Sequence, residues 1–344
     1  MPKIAVAILN YNGKSLLEKY LPTVAAHHQN NDIYIIDNNS SDDSIVFCQQ
    51  HYPQIKIIQN TDNYGFAKGY NEGLKYINAD YYVIMNNDIR TTEGWLNNIV
   101  DFMEQHKNIA VCMPKLLSDT QADYFEYAGA GGGFLDVLGY PFCRGRIFLS
   151  LEKDVGQYND NKEIFWATGA CMVIKSSVFW EAEGFDDDFF AHMEEIDLCW
   201  RIKNLGYSIY TIGSSSVYHL GGGTLNKINP KKTYLNFRNS LWTLLKNHPR
   251  KNLWKKIFLR LILDGVAGTK FLLEGNGKHT IAVIKAHFYF YGTLKKFLLK
   301  RRLFESKKNF SHSFLPIYTK SIVFQHYLKG KNKFTEIQND IDKK

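Results

Sequence analysis

The sequence predicts an α/β fold with a mostly parallel central sheet flanked by helices, followed by a basic helical extension. Two observations predict the sheet. Short β-branched or aromatic runs alternate with segments of helical apolar spacing, as in βαβ units, and each of the first four runs ends in Asn or Asp. The third observation is that residues 230–344 carry long helical patterns rich in lysine.

The four predicted strands have the sequences KIAVAIL, IYIIDNN, IKIIQNT and YYVIMNN. The helices predicted between and after them are SLLEKYLPTVAAHH, DDSIVFCQQHY, GFAKGYNEGLKYI and TEGWLNNIVDFMEQH. Ligands of open α/β sheets bind beyond the carboxyl ends of the strands. The polar residues at those ends, namely Asn10, Asp37, residues 60–63 and residues 86–88, therefore form one candidate site.

The middle of the chain is less regular. Residues 118–165 are rich in glycine and predict a long irregular loop of the kind that is functional or mobile. The segment IFWATGACMVIKSSVFWEAEGF then predicts a strand and a helix, and FFAHMEEIDLCWRIKNLGY predicts a further helix. SIYTIGSSSVYHLGGG predicts a last strand that ends at His219.

Composition is that of a globular protein, with 45% hydrophobic and 22% charged residues among 344. Five cysteines without a CxxC pair predict neither a disulfide framework nor a zinc site. The N-terminal apolar run is too short for a signal sequence and predicts a first strand, so we expect a cytoplasmic protein. No stretch of about 20 uncharged apolar residues, as a membrane span requires, occurs.

Charge divides the chain in two. Residues 1–229 hold 17 Lys+Arg and 28 Asp+Glu, whereas residues 230–344 hold 25 and 6. We therefore predict a catalytic domain over 1–229 and a basic amphipathic helical extension over 230–344, with the boundary near Pro230. The extension is predicted to contact an anionic membrane surface. A helical subdomain or a dimer interface with a solvated basic face is the alternative.

Asp88 is the first candidate for chemistry. The chain has neither GxGxxG after its first strand nor GxxxxGK[ST] anywhere, so a metal ion rather than a glycine loop is expected to hold phosphates. A carboxylate at a strand end, beside Asn86 and Asn87, suits Mg²⁺ or Mn²⁺, and His219 could add a nitrogen ligand that favours Mn²⁺. The alternatives are a turn residue for Asp88 and a structural histidine for His219.

The segment HMEEIDLCWR supplies the second candidate. On a helix Glu194 and Asp197 share a face, and Glu195 lies about 100° away. Burial and like-charge crowding would raise a carboxylate pKa toward the range of a general base. A solvated charged face, with Asp197 paired to Arg201, is the alternative.

Three further side chains in the middle segment are candidates. Trp166 offers an aromatic face for a sugar, or is an ordinary core residue. Arg144 and Arg146 could clamp a diphosphate when their loop closes, or are simply exposed.

Seven motifs occur in the order and spacing of a known family: ILNYN, IIDNNSSDDS, NYGFAKGYNEG, IMNND, WATGACMVIK, GFDDDFFAHMEEIDLCWR and VYHLGGG. Over about residues 3–225 the chain resembles glycosyltransferase family 2, in particular its bacterial rhamnosyltransferase-like members. The resemblance implies a GT-A fold and an inverting enzyme that uses a nucleotide-diphosphate sugar with Mg²⁺ or Mn²⁺.

The resemblance also implies residue roles. The metal-binding residues are expected to be Asp88 and His219. Asn86 occupies the position at which the family often has the first Asp of its metal-binding motif. The general base is Glu195, where the family usually has Asp, with Glu194 as the other choice. The nucleotide-sugar-binding residues are expected to be Asn10, Tyr11, Asp37, Asn39, Asn63, Lys68 and Asn87. The acceptor-binding residues are expected to be Trp166, Gly169 and Asp197.

The function predicted on this basis is transfer of a hexose, with dTDP-rhamnose as the first donor to try, to a saccharide or lipid-linked acceptor in cell-surface polysaccharide biosynthesis. The protein would sit peripherally on the inner face of the membrane, and a homodimer is compatible with the sequence. A nucleic-acid-binding protein that uses the basic part, and a non-catalytic sugar-nucleotide-binding pseudoenzyme, are the alternatives. A double displacement through a carboxylate nucleophile also stays open at this point.

Overall fold

The computed structural model describes residues 2–28, 31–221, 229–312 and 317–342. The strands and helices predicted for the first hundred residues are confirmed, with one added short strand. They are β1 (Ile4–Asn10), α1 (Lys14–Ala26), β2 (Asp32–Asp37), α2 (Ser44–His51), β3 (Lys56–Gln59), α3 (Gly65–Leu74), β4 (Tyr81–Asn86), β5 (Ile89–Arg90) and α4 (Trp95–Gln105).

The middle of the chain contains more strands than the sequence predicts. Its elements are β6 (Ile109–Ser118), β7 (Gly133–Asp136), β8 (Pro141–Cys143), β9 (Arg146–Ile147), β10 (Ser150–Leu151), β11 (Lys162–Glu163), β12 (Cys171–Lys175), α5 (Ser176–Glu181), α6 (Glu194–Asn204) and β13 (Ser208–His219). The helix predicted from about residue 189 begins only at Glu194, because Phe190, His192 and Met193 have positive φ angles of 64°, 70° and 72°.

The C-terminal part is helical, as predicted. Its elements are α7 (Pro230–Asn247), α8 (Leu253–Leu273), α9 (Gly277–Glu305), β14 (Ile317–Tyr318), α10 (Ile322–Tyr327) and α11 (Gln338–Asp342). Within the described ranges, no helix has the length and apolar content needed to cross a membrane.

The main sheet aligns the polar strand ends. Its strand order is β11-β13-β6-β12-β4-β1-β2-β3, and β5 pairs with β13. The strands β3, β2, β1 and β4 are parallel to one another, whereas β12 runs antiparallel between β4 and β6. Asn10 pairs with Asp37, and Leu9 pairs with Asn86. The Asn and Asp residues that follow these strands therefore meet at one edge.

Residues 118–165 are not the irregular loop that glycine content predicts. They contribute β7 to β10, which form a second sheet in the order β10-β9-β8-β7-β14. Rings of Phe134, Phe142 and Phe334 pack together beneath it, with centroids 5.2 to 6.2 Å apart. This segment forms strands despite its glycines. Its aromatic residues pack together, and β14, a strand from the far end of the chain, pairs with β7.

The expectation that Arg144 and Arg146 are exposed is wrong. Arg144 is buried, pairs with Asp160 and lies over the ring of Tyr158. Arg146 is buried too, lies over Tyr127 and donates to the carbonyl oxygen of Phe148. Their guanidinium groups are part of the packing of the second sheet.

The C-terminal helices pack directly on the first part of the chain, so the division at residue 229 stays a prediction. Lys246 and Asn247 of α7 bind the carboxylate of Asp197 in α6 at 2.9 and 2.7 Å. Arg260 of α8 is buried and donates to the carbonyl oxygen of Leu138 at 3.1 Å. The five cysteines are free and buried.

Candidate active site

The ends of β1, β2 and β4 are joined by a polar network. Asn10 is buried and donates from Nδ2 to Asp37 Oδ1 at 3.1 Å, and its Oδ1 accepts from Asn87 Nδ2 at 2.9 Å. Asp37 also accepts from the backbone N–H of Ser40 at 2.8 Å. Gly13 closes this cluster, since a Cβ there would lie 2.4 Å from both the Asn10 and the Asn87 side chains. The network fixes the floor of the candidate site at the sheet edge.

The other residues predicted to contact the nucleotide lie around this floor. Tyr11 is 42% exposed, and Asn39 is exposed with a positive φ of 60°. Asn63 accepts from the N–H of Gly65 at 3.1 Å, which shapes the turn into α3. Lys68 lies with its ammonium 4.0 Å from the ring centroid of Tyr64 and is partly exposed. These side chains have the exposure that a ligand contact requires.

Asp88, His219 and Glu126 form a buried row. Nε2 of His219 lies 3.0 Å from Asp88 Oδ1, and its Nδ1 lies 3.1 Å from Glu126 Oε2. Burial by itself would lower the pKa of His219, but the two carboxylates beside it raise that pKa to about 10. The ring is thus held between an acid at the strand end and an acid from residues 118–165.

This row of side chains suits a divalent cation for which the protein supplies only some of the ligands. Asp88 Oδ1 is buried and has no hydrogen bond of good geometry among the described residues. Asn86 lies beside it, with its Nδ2 3.4 Å from His219 Nε2. In the described ranges no three His, Cys, Asp or Glu side chains converge into a full metal cage. A cation here would take Asp88 and, once the imidazole has released its extra proton, His219, and would complete its shell with diphosphate oxygens and water, as Mg²⁺ typically does.

Glu194 and Glu195 begin α6 and differ in their surroundings. Glu194 is 5% exposed, whereas Glu195 is partly exposed. Oε2 of each is buried without a hydrogen-bond partner among the described residues. Burial raises the pKa of Glu195 to about 7. Burial and then the neighbouring Glu195 charge raise the pKa of Glu194 well above its usual range. Glu195 is therefore the more accessible acid, and its pKa suits proton transfer near neutrality.

The loop that leads into Glu195 is strained and is held from α7. Non-glycine residues rarely adopt the positive φ angles found at 190, 192 and 193. Asn239 donates from Nδ2 to the carbonyl oxygens of Phe189, Ala191 and His192 at 3.1, 3.0 and 2.7 Å. Asn239 is fully buried, so this one amide compensates for backbone carbonyls that the strained loop leaves outside any helix.

Gly169 and Ala170 lie between the metal-side and base-side residues. The carbonyl oxygen of Ala170 accepts from the N–H of Asn86 at 2.9 Å. A Cβ on Gly169 would lie 3.7 Å from Glu195 Cβ and 2.8 Å from Phe66 Cζ. The end of β4 and the start of α6 therefore flank the same short segment.

Two residues predicted to bind the acceptor are packed by protein. Trp166 is buried and donates from Nε1 to the carbonyl oxygen of Phe134 at 3.0 Å. The backbone of Gly133 covers its ring so closely that a Cβ there would lie 2.1 Å from Cε2. Asp197 is fully buried, and its carboxylate accepts from Arg201 and Lys246. An acceptor could reach Asp197 only by displacing these cations.

Sequence reasoning missed Glu126 and Asn239. Glu126 lies in the glycine-rich segment, and no motif near it suggests a contact with His219. Asn239 lies in the middle of α7, where an asparagine is an unfavourable helix residue. Its position inside an apolar helical pattern was the one available signal.

The fold is of GT-A type, and these residues lie at the carboxyl edge of its main sheet. Residues 5–182 match the family described as Glycosyl transferase family 2. The chain belongs to this family. The family assignment from the sequence motifs is confirmed.

Named relatives are distant. The N-acetylglucosaminyl-diphospho-decaprenol L-rhamnosyltransferase of Mycobacterium tuberculosis is 22% identical over 186 residues, which are 49% of this chain and 60% of that protein. The rhamnosyltransferase WbbL of Escherichia coli is 25% identical over 186 residues, 52% of this chain and 69% of that protein. The matched region thus spans about 60% of the first of these relatives.

Solved structures agree on the fold. GalNAc-T7 with UDP, GalNAc and Mn²⁺ has a TM-score of 0.55 at 14% identity, over 72% of this chain and 48% of that one. Residues 1–349 of Staphylococcus aureus TarS give a TM-score of 0.52 at 11% identity, over 88% and 91% of the two chains. A mannosyltransferase from Pyrobaculum calidifontis, in complex with GDP-Man and Mn²⁺, gives 0.50 at 14% identity, over 88% and 86%.

Proposed function

We propose that this chain is an inverting hexosyltransferase in which Glu195 is the general base and Asp88 and His219 hold Mg²⁺ or Mn²⁺. The observation that carries the proposal is that one short segment touches both parts of the site: Ala170 accepts from the N–H of Asn86, two residues before Asp88, and Gly169 lies beside Glu195. In-line displacement needs its base and its leaving-group site on opposite sides of the anomeric carbon.

The protein groups then have separate tasks. Asn10, Asp37 and the exposed Tyr11 position the nucleotide at the sheet edge. Glu195 accepts the proton of an acceptor hydroxyl as that oxygen bonds to the anomeric carbon and the bond to the diphosphate breaks. Such a base contributes about 10²- to 10⁴-fold to the rate. A bound divalent ion would stabilise the charge on the departing diphosphate.

The acceptor is proposed to be a saccharide on a lipid carrier in cell-surface glycan assembly, and dTDP-rhamnose is the first donor to test. The support is the pair of relatives named as rhamnosyltransferases, one of them named for a decaprenol-linked substrate. Cytoplasmic, membrane-peripheral placement follows from that acceptor. No nucleic acid is expected as a partner.

A panel of nucleotide sugars, screened by thermal shift with Mn²⁺ and then by slow donor hydrolysis, tests the proposal. A true donor should raise the melting temperature in Mn²⁺ but not in EDTA, since a ligand of the folded state stabilises it by mass action. Failure of every nucleotide sugar, combined with retention of the whole chain on heparin, would contradict the proposal. Binding without hydrolysis or transfer, unchanged in Glu195→Gln, would indicate the pseudoenzyme.

A further inference from the structure

Helix α8 leaves a row of large apolar side chains exposed. Trp254, Phe258, Ile262, Val266 and Leu273 recur at mostly four-residue spacing and are 48 to 82% exposed. The opposite side of the helix, which includes Leu253, Ile257 and Asp264, is buried against the rest of the protein. The exposed row therefore lies on the outward face, where nothing in the described ranges covers it.

Helix α9 also has an exposed apolar face and an opposite, buried face. Ile281, Ile284, Phe288, Tyr291 and Leu299 are 49 to 72% exposed, and their spacing places them within about 80° on a helical wheel. Its buried side is lined by Ala282, Ala286, Phe290 and Phe297. The two helices contact one another, for example where Thr280 donates to the carbonyl oxygen of Gly268 at 2.8 Å. The two helices are thus neighbours at the surface.

Cations are interspersed with these apolar side chains. Exposed Lys255 and Lys270 lie on the outward sector of α8, and exposed Lys285, Lys295 and Arg302 lie on that of α9. From Leu253 to Glu305 the chain has 11 Lys+Arg and three acids. Of the acids, Asp264 is buried and Glu305 is paired with Arg250 and Arg301, which leaves Glu274 in the turn after α8. The outward face is apolar and positive.

We propose that these outward faces of α8 and α9 form a docking surface for a bilayer that contains anionic phospholipid. Apolar side chains flanked by cations are the composition of helices that lie in the membrane interface. Each basic residue near such a surface contributes roughly fivefold to partitioning. The docking surface adds a membrane contact to the proposed function. It rests on that proposed function only for the lipid-linked acceptor.

The positive charge of the docking surface favours a bilayer over a second copy of the chain as its partner. A symmetric dimer through this face would place the same patch of each copy against the other. The lysines and Arg302 would then meet like charges in a desolvated interface, which is unfavourable. An anionic bilayer neutralises them and buries the apolar rows at the same time.

The docking surface is also tied to the loop before Glu195. Lys296 and Lys300 of α9 bind the carboxylates of Asp188 and Asp186, with contacts of 2.6 Å to Asp188. Those aspartates directly precede the strained residues 190–193. Through these ion pairs α9 contacts the segment that leads into Glu195.

Co-sedimentation of the full chain with vesicles tests the surface without any sugar transfer. We expect binding to vesicles of phosphatidylcholine with phosphatidylglycerol, and at least tenfold weaker binding to phosphatidylcholine alone. Phe258→Ser combined with Phe288→Ser should weaken binding at least tenfold. The double variant Leu149→Ser, Val155→Ser removes two comparably exposed apolar side chains elsewhere and should bind normally. Because all four residues are exposed, the melting temperatures should not change.

A fluorescence measurement at one residue distinguishes docking through this surface from non-specific adsorption to lipid. Brominated lipid should quench the fluorescence of Trp254, which is 56% exposed, and the quenching should be lost in Trp254→Phe. Equal binding of wild type and the Phe258/Phe288 variant would overturn the proposal. A lipid-free dimer that becomes monomeric in that variant would overturn it as well and assign the face to self-association. Nucleotide-sugar binding is unaffected by either outcome, so failure here is distinct from failure of the proposed function.

Discussion

Asp88 Oδ1 lies 3.0 Å from Nε2 of His219, two residues that come from β-strand ends far apart in the sequence. The main sheet brings them together because β5, directly after Asp88, pairs antiparallel with the end of β13, with His219 opposite Ile89. This pairing places an acid and an imidazole at the edge where the residues proposed to bind the nucleotide also lie.

Replacing Asp88 with Asn should weaken metal-dependent donor binding. The carboxylate supplies the charge that a divalent ion needs, and an amide does not. We expect the donor dissociation constant in Mn²⁺, measured by calorimetry, to rise at least about tenfold, or about 1.4 kcal/mol. Asp43→Asn removes an acid whose side chain is 72% exposed and should leave the constant unchanged. Unaltered Mn²⁺ dependence in Asp88→Asn would refute the metal assignment.

Glu195→Gln should spare donor binding and lower kcat by about 10²-fold or more, because glutamine cannot accept the acceptor proton. Glu194→Gln, at the more buried neighbour, serves as the matched variant. Steady-state transfer rates together with donor affinity distinguish the two residues. If Glu194→Gln is the inactive variant and Glu195→Gln transfers normally, the base is Glu194.

The rate of transfer should depend on pH through the same carboxyl group. Burial raises the pKa of Glu195 to about 7, so below this pH the group is increasingly protonated and cannot act as a base. We therefore expect kcat/KM for the acceptor to rise about tenfold per pH unit below about pH 7 and to level off above it. A flat profile across neutrality would argue against Glu195 as the base.

Glu126→Gln should reduce the affinity for Mn²⁺ about tenfold. Oε2 of Glu126 lies 3.1 Å from Nδ1 of His219, the ring nitrogen that does not face Asp88. Loss of a carboxylate that supports a metal-binding histidine typically costs 10- to 100-fold in metal affinity. Mn²⁺ titration followed by electron paramagnetic resonance, with nucleoside diphosphate present, measures this. Asp123→Asn, an acid of the same segment with a 56% exposed side chain, is the control. If the wild type, Glu126→Gln and Asp123→Asn bind Mn²⁺ with equal affinity, Glu126 does not support the metal site.

Asn239→Ala should lower kcat and leave donor affinity intact. The change leaves the carbonyl oxygens of residues 189, 191 and 192 without their shared donor, which costs about 1–3 kcal/mol of stability. It also frees the loop that positions Glu195. Thermal unfolding and transfer kinetics are measured together, with Asn98→Ala on the exposed side of α4 as control. A stability loss with normal kcat would show that Asn239 supports the fold alone.

The sequence by itself determined the alternation of β1 to β4 with α1 to α4, since the period of apolar residues distinguishes strands from helices locally. Because parallel strands share one carboxyl edge, it also predicted that Asn10, Asp37 and Asp88 lie near one another. The family motifs added Glu195 and His219 to that set.

The tertiary structure alone decided the rest. Arg144, Arg146 and Arg260 have charged side chains that sequence patterns place outside, yet specific carbonyl, carboxylate and aromatic partners allow their burial. The roles of Glu126 and Asn239, and the outward direction of Phe258, likewise depend on which distant segment packs against each. Local periodicity reports the conformation of a segment, whereas burial and partnership depend on contacts between segments remote in sequence, and these exist only once the chain has folded.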